Sequence, residues 1–225
     1  MSNAVLSQSS QPHWPVASGT TLALAAVLAV WVALILALGA GGAFATPPGE
    51  LPLPIAIGVT APVIVFLGAY WMSRRFREFV LAADLRLITG IQAWRAAGFG
   101  FLALYAYGVL PGLFALPAGL GDIAIGVTAP WIILALIRQP SFATSRTFVV
   151  WNVLGLLDLV VAVSTGALSS TLATGIAGEI TTRPMGELPL LLIPAYLVPV
   201  FIMLHLTALF QVRRLRPLAT QSSRS

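Results

Sequence analysis

Three ionisable residues stand inside long apolar runs: Arg95, Asp158 and His205, with Gln92 and Asn152 as polar companions in the same runs. An ionisable group at membrane depth is expensive, and in a multi-span bundle it turns inward, where it marks a solute path, a proton relay or a paired charge. Asp158 is the most informative of them. Counted from Thr147, it lies about 16 Å into its run, near the middle of a roughly 30 Å hydrocarbon core. Its insertion cost of about 2.5 to 3.5 kcal/mol is offset by neighbouring Leu, Val and Phe at roughly −0.3 to −0.6 each, so the helix inserts with the carboxyl turned away from lipid. On a 100° period Asp158 shares a face with Trp151, Gly155, Ala162 and Thr165, a stripe of mostly small residues suited to close helix contact.

Arg95, roughly 12 Å from the inner end of its run, has two readings. It snorkels to the cytoplasmic surface, or it pairs with Asp158 across a contact eased by Ala93, Ala96, Ala97 and Gly100. The paired reading predicts that Asp158→Asn is strongly destabilising and that adding Arg95→Gln restores stability. His205 sits at a similar depth and reads either as an interhelical hydrogen bonder or as a proton partner. A second set consists of Glu50, Asp122 and Glu187, each near the outer start of an even-numbered run. They read as compensation of helix dipoles, at about 0.3 to 1 kcal/mol each, or as an outer acidic ring that attracts cations.

Much chemistry is excluded by composition. Cysteine is absent and all 12 basic residues are Arg, so disulfides, thiolate metal sites, Schiff-base lysines and P-loops do not arise. With His13 in the polar N-terminus and His205 the one intramembrane histidine, a bis-histidine haem cannot form within the chain. No metal spacing or catalytic triad is present, and no cofactor is expected.

The elements that must position these residues are membrane spans. Of 225 residues, 58% are hydrophobic and 8% charged, against about 25% charged in a soluble domain. Six runs, 20–43, 52–72, 87–110, 120–138, 147–168 and 188–212, predict an all-α integral membrane protein with residues 1–225 as a single membrane domain. Thr46-Pro47-Pro48-Gly49, Leu110-Pro111-Gly112 and Leu116-Pro117-Ala118-Gly119 read as turns. The first 18 residues show no basic segment before the first run and no cleavage site, so that run is expected to be kept as a span. Arginines 74, 75, 77 and 86, then 138 and 146, then 213, 214, 216 and 224 fall in alternate connections and at the C-terminus. They predict both termini on the cytoplasmic side of a bacterial-type inner membrane. The basic balance belongs to helix ends facing lipid and implies no nucleic-acid partner.

Repetition is the strongest internal signal. IAIGVTAP occurs at 55–62 and again at 123–130, an offset of 68, and Arg77-Glu78-Phe79-Val80 is echoed by Arg146-Thr147-Phe148-Val149. GELPL occurs at 49–53 and at 186–190, an offset of 137 that also carries Pro62-Val63 onto Pro199-Val200. These offsets predict three tandem two-helix repeats, 20–80, 87–146 and 147–216, running parallel about a pseudo-threefold axis. That layout is similar to mitochondrial carriers, but their Pro-x-acidic-x-x-basic signature occurs at no odd-helix end, and no membership follows. Pro62, Pro130 and Pro199 are repeat-equivalent and should each kink an even helix.

Three functions fit. A small transporter or channel for a solute or ion would use Arg95, Asp158 and His205 as its site. A membrane enzyme acting on a lipid or quinone would use Asp158 as acid or base. A helper or scaffold subunit, with a further membrane protein or another copy as partner, would keep the charges as structure. A water-accessible cavity reaching the carboxylate favours the first, a lateral opening to lipid the second, and a dry, packed carboxylate the third.

Overall fold

A computed structural model describes residues 19–222; His13, Arg224 and the side chain of Arg216 lie outside the described residues. The described chain is all helical: α1 (Gly19–Ala40), α2 (Leu53–Met72), α3 (Arg74–Leu81), α4 (Leu85–Ile91), α5 (Phe99–Ala106), α6 (Gly112–Arg138), α7 (Arg146–Thr171) and α8 (Val198–Ser222). A 3₁₀ stretch, Gln92–Gly98, fuses α4 and α5 into one third span, Leu85–Ala106. A π-turn, Ile193–Leu197, leads into α8. Six segments are long and apolar enough to cross a membrane, as a multi-pass membrane protein requires.

Polar side chains start the helices where the arginines cluster. Ser73 Oγ accepts from the Phe76 amide at 3.2 Å, Ser145 Oγ from the Phe148 amide at 3.1 Å, and an Asp84 carboxylate oxygen from the Arg86 amide at 2.7 Å. Each satisfies an amide that has no partner within its own helix. Gln211 of α8 joins this end by donating to the carbonyls of Val80 and Ala83 at 3.2 and 2.9 Å. The short α3, between the second and third spans, is an element that the pattern of apolar runs does not reveal.

One expected turn is absent. Leu116-Pro117-Ala118-Gly119 is helical, and α6 begins at Gly112 rather than at 120. The turn lies just upstream, where Pro111 is extended (φ −71°, ψ 142°) and its carbonyl accepts from the amides of Phe114 and Ala115 at 3.1 and 2.9 Å. Pro117 forfeits a single helical hydrogen bond, whereas a break in an apolar segment would strand several backbone groups. The other breaks differ slightly from expectation: the third span ends at Ala106, and the last begins at Ile193, after the loop.

Helix α6 is the centre of the bundle, packed against the whole third span and against α7. Around it, α8 touches α7, α4 and α2, and the π-turn carries α1. The α5–α6 and α7–α8 hairpins are packed as pairs, whereas α1 and α2 lean on the last span rather than on each other. Val59 is the sole buried residue of α2. Buried apolar side chains gather in four clusters, the largest of them joining Ile88, Ile125, Ile132, Phe148, Trp151 and Val212 at the arginine-rich end.

Candidate functional site

The third span meets α6 backbone to backbone. At Gly126 a Cβ would overlap the backbone of Ala96, whose Cα would lie 2.8 Å away; at Gly98 a Cβ would lie 2.6 Å from Cβ of Asp122. The tighter 3₁₀ winding, with its rise of about 2.0 Å per residue, coincides with this contact. It delivers the Arg95 side chain, fully excluded from solvent, into the space between α6, α7 and α8.

There Arg95 uses four of its five N–H donors on three helices. Nε donates to Asp122 Oδ1 at 2.7 Å, Nη2 to Asp158 Oδ2, and Nη1 to the Gly155 carbonyl at 3.2 Å and to His205 Nε2 at 3.1 Å. The Phe201 ring covers the guanidinium, 5.9 Å from Cζ. Because Arg only donates, His205 Nε2 accepts, so Nδ1 carries the proton and donates to Asn152 Oδ1 at 2.9 Å. Asn152 Nδ2 in turn donates to the Phe148 carbonyl at 2.8 Å. Every bond in this chain agrees with a neutral Nδ1–H imidazole. The edge of Trp151, whose Nε1 donates to Thr128 Oγ1 at 2.9 Å, closes over His205 at 5.5 Å between centroids.

Two glycines of α6 and α7 make room for the polar groups. A Cβ at Gly121 would overlap the Asp158 carboxylate, and one at Gly155 would overlap the His205 ring. Small residues therefore serve here to seat charges, beyond bringing helices together.

Arg95, Asp158, His205 and Asn152 thus meet in one cluster, and Arg95 does not snorkel. Gln92 stands apart: it is 1% exposed, Nε2 donates to the Phe201 carbonyl at 3.3 Å, and Oε1 has no partner. The outer acidic ring is not formed. Asp122 faces Arg95, Glu187 is paired with Arg183 at 3.0 Å, and Glu50 is exposed. The reason lies in the helix start: with α6 beginning at Gly112, Asp122 is about 15 Å along it, close to the depth of Asp158. Sequence reasoning missed Asp122 as a partner of Arg95. Its displacement by four positions from Glu50 and Glu187 in the repeat was the signal.

One guanidinium serves two carboxyl groups and the neutral imidazole contributes no charge, so with both carboxyls ionised the cluster would carry one negative charge in excess. The consequence for Asp158→Asn is a reversal of the sequence expectation, since removing that carboxylate leaves Arg95 and Asp122 as a balanced pair.

A cavity of about 100 Å³ opens at the end of the bundle opposite the arginines and descends to this cluster. Phe44, Phe101, Phe114, Leu159, Val163 and Met185 supply apolar wall, and Asp122 is the carboxylate in its lining. Asp158 lies just outside the wall. Across the mouth runs the 172–192 loop, in which the Thr174 and Gly175 amides donate to Glu179 at 2.8 to 3.0 Å. The Thr174 amide, foremost among these donors, holds the Glu179 carboxyl below its usual range. No group of three or more His, Asp or Glu among the described residues is arranged to hold a metal ion.

No curated protein and no solved structure matches the chain. A family model described as "Domain of unknown function (DUF8737)" matches residues 52–213, which take in α2 to α7, most of α8 and every member of the Arg95 cluster. With most of its length matched, the chain belongs to the DUF8737 family.

Proposed function

We propose that the protein binds a small solute or ion in the outward-opening cavity and moves it across the membrane, with Asp122, Arg95 and Asp158 as the binding and protonation site. The observation that carries this reading is the shared guanidinium: two carboxylates at mid-membrane depth hold one cation, and one of them lines a cavity open to the aqueous side. An uncompensated charge in that surrounding takes up a proton or a cation. His205 and Asn152 orient the guanidinium. The role of Asp158 as the group that exchanges the proton, from outside the cavity wall, follows from its sharing Arg95 with Asp122. A scaffold role is favoured by one feature, the near-complete hydrogen bonding of Arg95, and flux decides between the two. The protein reconstituted in liposomes with an internal pH-sensitive dye is expected to show solute-dependent proton movement that falls at least tenfold in Asp158→Asn. Proton movement equal in the two proteins removes Asp158 from the mechanism, and none with any solute favours the scaffold.

The three parallel repeats belong to the same proposal, supported by the sequence offsets of 68 and 137. So does the orientation, both termini cytoplasmic in an inner membrane, supported by the exposed arginines 74, 75, 86, 138, 146, 213 and 214 at one end of the bundle. Reporter fusions after Arg77 and Arg138 are expected to read cytoplasmic and a fusion at Glu179 external. A cytoplasmic signal at Glu179 inverts the model and places the cavity on the inner side.

A further inference from the structure

We infer that the solute is an organic cation, an ammonium ion carrying a small apolar body, seated with its charge on Asp122 and its body between Phe44, Phe101 and Phe114. The inference rests on the proposed binding site and names its substrate class. Three independent features of the cavity support it. First, Asp122 presents a free acceptor: Oδ1 is taken by Arg95, whereas Oδ2 has no hydrogen-bond partner, and the residue lines the cavity. Second, the Thr46 hydroxyl, also in the cavity wall, is shielded from solvent and bonds to nothing in the protein. A buried hydroxyl without a partner is costly, and a polar group of a bound solute would relieve it. Third, both arginines near the cavity already face carboxylates: Arg95 bonds Asp122 and Asp158 below, and Arg183 at the mouth bonds Glu187 at 3.0 Å.

The electrostatics select the sign. A ligand carboxylate or phosphate would add to the negative charge of two carboxyls sharing one guanidinium in a low-dielectric site, whereas an ammonium balances it. The walls select the body. Aromatic faces attract a cation that reaches past them and receive its apolar part by burial. A strongly hydrated inorganic ion would find a single free carboxylate oxygen and an unpaired hydroxyl, too few ligands to replace its water.

The test compares three ring compounds of one size and different charge, benzylammonium, benzyl alcohol and benzoate, titrated into the full chain in lipid nanodiscs by calorimetry. Saturable binding of benzylammonium, at least tenfold tighter than the alcohol and with no binding of benzoate, is expected. Asp122→Asn should weaken benzylammonium at least tenfold and leave the alcohol unchanged, while Glu50→Gln leaves all three as they were. Because Asp122→Asn also touches Arg95, a second variant, Thr46→Val, is used, which breaks no bond within the protein. It should keep the melting temperature and weaken benzylammonium several-fold. Equal binding of alcohol and ammonium, preference for benzoate, or ammonium binding indifferent to both variants would overturn the inference. Binding that behaves as expected without accompanying flux would leave the cation site standing and remove the transport reading.

Discussion

Arg95→Gln is expected to cost roughly 3 to 5 kcal/mol of stability, because it strands Asp122 and Asp158 together at mid-membrane depth without their shared cation. Asp158→Asn is expected to cost no more than about 1 kcal/mol, since Arg95 keeps Asp122 and the new amide oxygen still accepts from Nη2. This ordering distinguishes the observed triad from the simple pair that the sequence suggests, for which both single changes would be equally harmful. It also sets the condition for recovery. Arg95→Gln combined with Asp158→Asn leaves Asp122 unpaired and should remain impaired, whereas adding Asp122→Asn as a third change should return most of the loss. Unfolding in mixed micelles, followed by tryptophan fluorescence with Trp151 beside the cluster, measures all four proteins. If Asp158→Asn proved as damaging as Arg95→Gln, Asp122 would not be sharing the guanidinium.

The second large effect is expected at a glycine that the sequence places in duplicate. Gly58 and Gly126 occupy the same position of IAIGVTAP, yet their surroundings differ. A Cβ at Gly58 would meet the edge of the Phe44 ring at 3.2 Å and Cβ of Ala195 at 3.5 Å, and a ring can give way. A Cβ at Gly126 would run into the backbone of Ala96, which is held in place by the Arg95 network. Gly126→Ala is therefore expected to cost roughly 3 kcal/mol, at the upper end of the range for overpacking, and to disturb the Arg95 cluster. Gly58→Ala should lie within about 1 kcal/mol of the parent, the helical gain of about 1 kcal/mol from Ala offsetting a small repacking. Paired unfolding curves of the two variants decide the matter, and equal shifts would mean that the third span and α6 do not touch through their backbones.

Those two identical octapeptides also separate what is local from what is tertiary. Both are helical, and in both the threonine hydroxyl bonds back to the carbonyl four residues earlier, Thr60 to Ala56 at 2.8 Å and Thr128 to Ala124 at 2.6 Å. Only Thr128 also receives the Trp151 indole. Helicity and back-bonding depend on neighbours in the chain, so the sequence alone determines them. The number of long apolar helices, the all-helical character and the presence of ionisable groups at Arg95, Asp158 and His205 within them were legible for the same reason: an apolar solvent would force backbone hydrogen bonds inward and make each ionisable group conspicuous.

Tertiary structure decided how the charges are shared. Pro117-Ala118-Gly119 has the composition of a turn, and an apolar environment that penalises broken backbone bonds keeps it helical. That one difference carries Asp122 from the expected outer rim to the interior. The depth of a residue depends on where its helix begins, and the beginning is set by the summed cost of all the backbone groups around it rather than by the turn propensity of four residues. Likewise the outward position of α1 and α2, the backbone contact at Gly126 and the cavity above Asp122 come from helices meeting across long sequence separations, about which an apolar alphabet is nearly silent. The amino-acid sequence determined that the Asp158 carboxyl turns away from lipid and left Arg95 between snorkelling and pairing; the packing of the third span against α6, α7 and α8 determined that one guanidinium is shared by two carboxyls.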